Sequence, residues 1–189
     1  AGLTNGIEHN RTAEQRNNFR AEWLVIRSLM AVGHGELEQC RVYLDEAASL
    51  ASEGNLRVLS MIQYGQASVQ RLSADPSAAE AYFRQAIASG QKSGNLIAEM
   101  LSTTGLADLE FEQGELNTAY AILEPVSRRL VNSPRLPPIS NVIYGLLGEI
   151  HFQWCELEKA GQLFQQGYRL SVFGGLQSGI ISYRLLLSR

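Results

Sequence analysis

Apolar residues recur at three- and four-residue steps along most of the chain, in stretches separated by glycine-bearing breaks. From Ala13 to Val32 the positions Phe19, Trp23, Ile26 and Met30 predict an amphipathic helix, closed by Gly33-His34-Gly35. A partner helix is expected from Glu36 to about Ser52. The couplet then recurs as Leu56 to Leu72 with Pro76 to Ser89, Leu96 to Glu112 with Glu115 to Val131, and Ser140 to Gln153 with Glu156 to Val172. Ile180, Ile181, Tyr183, Leu185, Leu186 and Leu187 make the stretch from Gln177 to Arg189 the first helix of a fifth couplet.

The second helix of each couplet opens on a common segment. Its starts at Gly35, Ala74, Gly114 and Cys155 lie 39, 40 and 41 residues apart. Each copy keeps a small residue, then Leu or Phe four later, then a small or short apolar residue three later: Cys40, Leu44, Ala47; Ala79, Phe83, Ala86; Ala119, Leu123, Val126; Ala160, Phe164, Gly167. Gly54-Asn55-Leu56 and Gly94-Asn95-Leu96 punctuate the chain between copies, and Gly174-Gly175-Leu176 plays the same part after the fourth. Asp75 before Pro76 has the chemistry of an N-cap. The segment 132–138, with Pro134, Pro137 and Pro138, replaces a glycine turn with a stiffer connection, read as a loop variant.

The fold expected is all-α, a right-handed superhelix of antiparallel helix pairs: a solenoid of about four 40-residue repeats plus a terminal helix. Its repeats are placed at about 13–53, 54–93, 94–135 and 136–174, with a partial copy at 175–189. Residues 1–12 carry no period and read as a frayed segment.

Composition narrows the function. The 189 residues are 45% hydrophobic and 19% charged, enough apolar content for a buried core. A net charge of -3 and a pI near 5.7 disfavour phosphate backbones, so direct nucleic-acid binding is not expected. Lys92 and Lys159 are the only lysines, and arginines supply the rest of the positive charge. Cys40 occupies an alanine slot and Cys155 a turn-glycine slot, so no disulfide is expected. No charged-then-apolar leader and no apolar run approaching a membrane span is seen, and a cytoplasmic setting is expected. Asn10-Arg11-Thr12 matches a glycosylation triplet of a kind common by chance.

In the fourth copy, Tyr144-x-x-Leu147-Gly148-x-x-His151 followed by Ala160, Phe164 and Gly167 resembles the tetratricopeptide pattern, with Tyr for Trp and His for Tyr. The lengthened repeat, with Gly-Glu-Leu inside it and Gly-Asn-Leu between copies, is similar to the superhelical domain of MalT-type bacterial transcription activators, large ATP-binding regulators with a LuxR-type DNA-binding end. The resemblance covers about residues 14 to 189. It implies an effector-sensing and self-association arm. The ATP- and DNA-binding parts are not carried over: Gly90-Gln-Lys-Ser-Gly94 has the wrong spacing for a phosphate loop, and no basic recognition helix follows.

Little in the chain points to catalysis. His9 lies in the frayed segment, His34 in a turn, and His151 at a core-type position, read as hydrogen-bonded packing. Carboxylates two apart, such as Glu36 and Glu38, point to different sides of a helix. The chain is read as a non-enzyme without cofactor or metal. The first helices of tetratricopeptide-like repeats line a concave groove, and register places Tyr64, Arg71, Asp108, Phe111, Glu112, Glu149, Phe152 and Tyr183 there, with Met61, Ser68, Thr104 and Gly145 nearby. Such a surface suits a protein or peptide partner or a small-molecule effector. Tyr64, Phe111 and Phe152 also fit a core between neighbouring repeats; Trp23 and Trp154 are assigned to packing. The apolar last helix is a possible homodimer contact. The alternative function is a free-standing adaptor gripping a peptide or protein partner in its groove.

Overall fold

The computed structural model describes residues 12–131 and 136–188. The expected frayed segment up to residue 11, most of the Asn10 triplet, residues 132–135 of the proline-bearing connection and residue 189 lie outside the described residues. Among the described residues there are nine α-helices and no strand: α1 (Ala13–Gly33), α2 (Leu37–Leu50), α3 (Leu56–Leu72), α4 (Pro76–Ser93), α5 (Leu96–Glu112), α6 (Leu116–Val131), α7 (Asn141–Gln153), α8 (Leu157–Gly174) and α9 (Gln177–Leu187). A short 3-10 turn, Pro138–Ser140, leads into α7. The chain is an all-α helical-repeat protein.

The helix starts follow the side chains available at them. Thr12, expected to fray, instead caps α1: its hydroxyl accepts from the Gln15 amide at 3.2 Å while its own amide donates to the Gln15 side chain at 2.9 Å. Asn55 accepts from the Val58 amide and Asp75 from the Ala78 amide at the starts of α3 and α4. Helix α4 runs four residues past its expected end at Ser89 to Ser93. Gly90 lies inside it as a close-approach residue, where a Cβ would meet the Glu99 amide nitrogen at 3.1 Å. Pro125 is carried inside α6, and both it and Ala121, whose carbonyl loses its donor, face solvent.

The turns between paired helices require a left-handed residue. Gly35 and Gly114 adopt φ of 77° and 82°, and Ala74 and Cys155 hold the same place at 59°. Cys155 is exposed there, whereas Cys40 is fully buried.

The chain divides into two compact units, residues up to Glu99 and from Met100 onward. In the first, Ala21, Leu24, Val25 and Ala31 of α1 pack with Cys40, Leu44 and Ala47 of α2 and with Val58, Ile62 and Val69 of α3. In the second, Ala119, Leu123, Val126 and Leu130 of α6 pack with Ile143, Leu146, Leu147 and Ile150 of α7. The small-Leu/Phe-small positions read from the sequence are buried in all four second helices.

Helix α1 departs from expectation. Phe19, Trp23, Ile26 and Met30 are more than half exposed, and the buried stripe is Ala21, Leu24, Val25, Ser28 and Ala31. Trp23 is therefore a surface residue, not a packing one, because the small residues of α1 let α2 and α3 approach and leave the bulky stripe outside. Trp154 does pack against the second core.

Candidate functional site

A hollow lies in the first unit, on the face of the first helices. It has a volume of about 330 Å³ and is lined by Glu22, Val25, Ile26 and Leu29 of α1, Arg57, Val58 and Met61 of α3, and Asn95 and Ile97 at the start of α5. That size is at the lower end of small-molecule pockets. Its wall is largely aliphatic.

Asn95 builds the floor. Buried at the N-cap of α5, it accepts from the Ala98 amide at 3.4 Å and donates to the Arg57 carbonyl at 3.1 Å and the Ser60 hydroxyl at 3.0 Å. One side chain thus closes the donors of one helix and fastens that helix to the backbone of another, and its amide is spent on the protein. Among the described residues, polarity toward a ligand comes from Glu22 and Arg57, both exposed and neither in an ion pair.

Between α1 and α2, the Arg27 guanidinium sits 4.4 Å from the Tyr43 ring centroid and 5.5 Å from that of Trp23, and it donates to the Tyr43 hydroxyl at 2.5 Å. Arg20 pairs with Glu46 one turn away. Arginine with tryptophan and tyrosine on an exposed face is the composition of protein-interface hot spots.

The residues placed in the groove by register do not line this hollow. Tyr64 is half-buried on α3 with its ring 6.3 Å from that of Phe83, and burial pushes its hydroxyl pKa up. Arg71, Asp108 and Glu149 are half-buried and engaged with other residues, and Glu112 is exposed at the end of α5. Phe111 packs against the core of the second unit, and Phe152 against Ala160 and Phe164. Tyr183 is a correction: it is a core residue, buried against Gly145 and Gly167, with its hydroxyl donating to the Asn141 carbonyl. Burial raises its pKa. Register found the helices that carry the hollow and reached Met61, but it missed Glu22, Ile26, Leu29, Arg57 and Ile97. The helical spacing of Glu22, Ile26 and Leu29 was a usable signal on α1.

In the second unit, His151 is buried with Nδ1 at 2.8 Å from the Glu156 carboxylate, and Tyr120 and Trp154 both stand edge-on to its ring at 5.6 and 5.2 Å, tilted to one another at 5.4 Å. Burial lowers its pKa; Lys159 acts in the same direction and Glu156 opposes both. No group of three or more histidine, cysteine or acidic residues is arranged to hold a metal among the described residues. Nor is any helix among them long and apolar enough to cross a membrane.

With this geometry, the family described as the MalT-like TPR region matches residues 21–187. The chain belongs to that family. MalT-like tetratricopeptide domains are helical-repeat modules of the protein-interaction type, and the exposed aromatic and aliphatic surface of α1 fits that class. Among solved structures, a chain of Pseudomonas aeruginosa PilF is similar, with a TM-score of 0.63 at 17% identity over 91% of this chain and 77% of that one. At that identity the likeness shows the fold alone. No curated protein matches the chain.

Proposed function

We propose that this MalT-like domain is the effector-sensing and self-association arm of a bacterial transcription regulator, working in the cytoplasm without chemistry of its own. The observation that carries the sensing part is the hollow between α1, α3 and the start of α5, formed on first helices within the matched family region. An effector seated there would present an apolar body to Val25, Ile26, Leu29 and Met61, with an acidic group toward Arg57. Anilinonaphthalene sulfonate has that chemistry. It is expected to bind the chain one to one with a fluorescence rise, to lose affinity at least tenfold in Ile26→Glu, and to lose several-fold in Arg57→Ala. Unchanged binding in both variants would remove the hollow from the reading. The regulator part fails on a different observation, a whole gene that encodes neither a nucleotide-binding module nor a DNA-binding domain.

A free-standing adaptor is the second reading, and the cluster of exposed Trp23 and Arg27 with half-buried Tyr43 favours it. Its partner would be a protein that covers that cluster, so Arg27→Ala should weaken capture of the partner while helicity stays unchanged.

A further inference from the structure

The lining of the hollow between α1, α3 and the start of α5 is selective about chemistry. No aromatic ring lines it among the described residues, so it holds no flat face on which a sugar ring or a nucleobase would stack. Its one amide side chain, Asn95, is spent on the Ala98 amide, the Arg57 carbonyl and the Ser60 hydroxyl, which leaves little for the many hydroxyls of a sugar. What remains is an aliphatic wall of Ile26, Leu29, Met61 and Ile97, with one acid, Glu22, and one base, Arg57.

The two charges do not satisfy each other. Glu22 belongs to α1 and Arg57 to α3, both are exposed, and neither is in an ion pair among the described residues. Arg57 lies in the first turn of α3 and Ile97 in the first turn of α5, so the partial positive charge of two helix N-termini adds to that of the guanidinium. Glu22 stands in the interior of α1, away from either end of that helix. The hollow is therefore polarised, negative on the α1 side and positive on the α3 and α5 side, over an apolar wall.

We infer that its occupant is a small aliphatic zwitterion, of the chemical class of a branched-chain amino acid. The carboxylate goes to Arg57 and the helix ends beside it, the ammonium goes to Glu22, and the alkyl chain lies on Ile26, Leu29 and Met61. A neutral or singly charged ligand leaves at least one of the two side chains without a counter-charge. The volume of about 330 Å³ suits a ligand of that size, at the low end for small-molecule sites. This names the ligand class of the effector site in the proposed function and rests on that reading of the hollow.

Saturation-transfer NMR titration of the 189-residue chain with L-leucine, N-acetyl-leucine and leucinamide tests it. Leucine carries both charges, N-acetyl-leucine only the carboxylate and leucinamide only the ammonium. Leucine is expected to bind more tightly than either derivative by about two- to fivefold, the worth of one exposed ion pair. Glu22→Gln should bring leucine down to the affinity of N-acetyl-leucine and leave N-acetyl-leucine unchanged. Arg57→Gln should bring leucine down to the affinity of leucinamide and leave leucinamide unchanged. Equal affinities of the three ligands in the parent, or a preference for leucine that survives both variants, would overturn the zwitterion. Anilinonaphthalene sulfonate that binds the parent and is lost in Ile26→Glu, with no leucine bound, would also overturn it while leaving the hollow an effector site. Failure of both probes would remove the hollow itself.

Discussion

The same pair of faces is built twice, between α1 and α3 in the first unit and between α7 and α9 in the second, and the two differ in what fills the space. In the second unit Gly145 yields its volume to Tyr183, whose ring packs beside Phe164 and whose hydroxyl is spent on the Asn141 carbonyl. In the first unit Val25 stands where Gly145 does and Ile62 where Tyr183 does, and the hollow opens beside them with Met61 and Ile97 at its wall. A repeat can therefore hold a filled core or an open hollow on one backbone plan. The choice turns on whether an aromatic side chain from the following helix reaches across.

The largest expected effect comes from emptying the filled copy. Tyr183→Ala removes a buried ring and a satisfied hydroxyl, and should cost roughly 3 to 5 kcal/mol in urea unfolding, in the range for large aromatic truncations. A cost below about 1 kcal/mol would mean that Tyr183 is not the plug described. Overfilling comes next: leucine at Ala119 or Ala160, both essentially inaccessible, should overpack a helix contact and cost roughly 1 to 3 kcal/mol. Mutants as stable as the parent would refute the packing register.

A smaller effect follows from His151 in the second unit, and it has a sign. Burial favours the neutral ring in the folded chain, so the unfolded chain takes up its proton first, near the ordinary value of 6.5. The stability contributed by the neutral form is complete above that pH and declines as pH falls below it. The urea midpoint should thus drop between pH 7 and 5, and His151→Gln should flatten that drop. A profile equally steep in the variant would assign the pH dependence to other groups. The smallest change is expected in the open copy: Ile26→Glu alters an exposed wall of the hollow and should move stability by less than about 0.5 kcal/mol.

Much of this was legible in the sequence, and the rest was not for definable reasons. Helices α3 and α5 run over the expected Leu56–Leu72 and Leu96–Glu112, because caps and apolar periods there agree. The burial of Cys40, Ala79, Ala119 and Ala160 followed from small residues recurring at one slot. Which face of α1 is covered could not be read from that helix alone. It carries apolar residues on two sides, and periodicity does not say which side meets a neighbour; the small stripe of Ala21, Leu24, Val25, Ser28 and Ala31 was buried, and the bulky one was not. Tyr183 went to the core for a related reason. Gly145 and Gly167 opposite it leave room for its ring, and they mark that room only once the helices are paired.

Asn95 carries a further consequence. Because one amide group holds the Arg57 carbonyl and caps the first turn of α5 at once, the α3 and α5 walls of the hollow are tied to each other. A guest that draws Arg57 inward by an ångström tugs on a helix end. Occupancy is then written as fraying or tightening of that end, a signal that amide exchange at Ala98 would register before any change of shape is large enough to see.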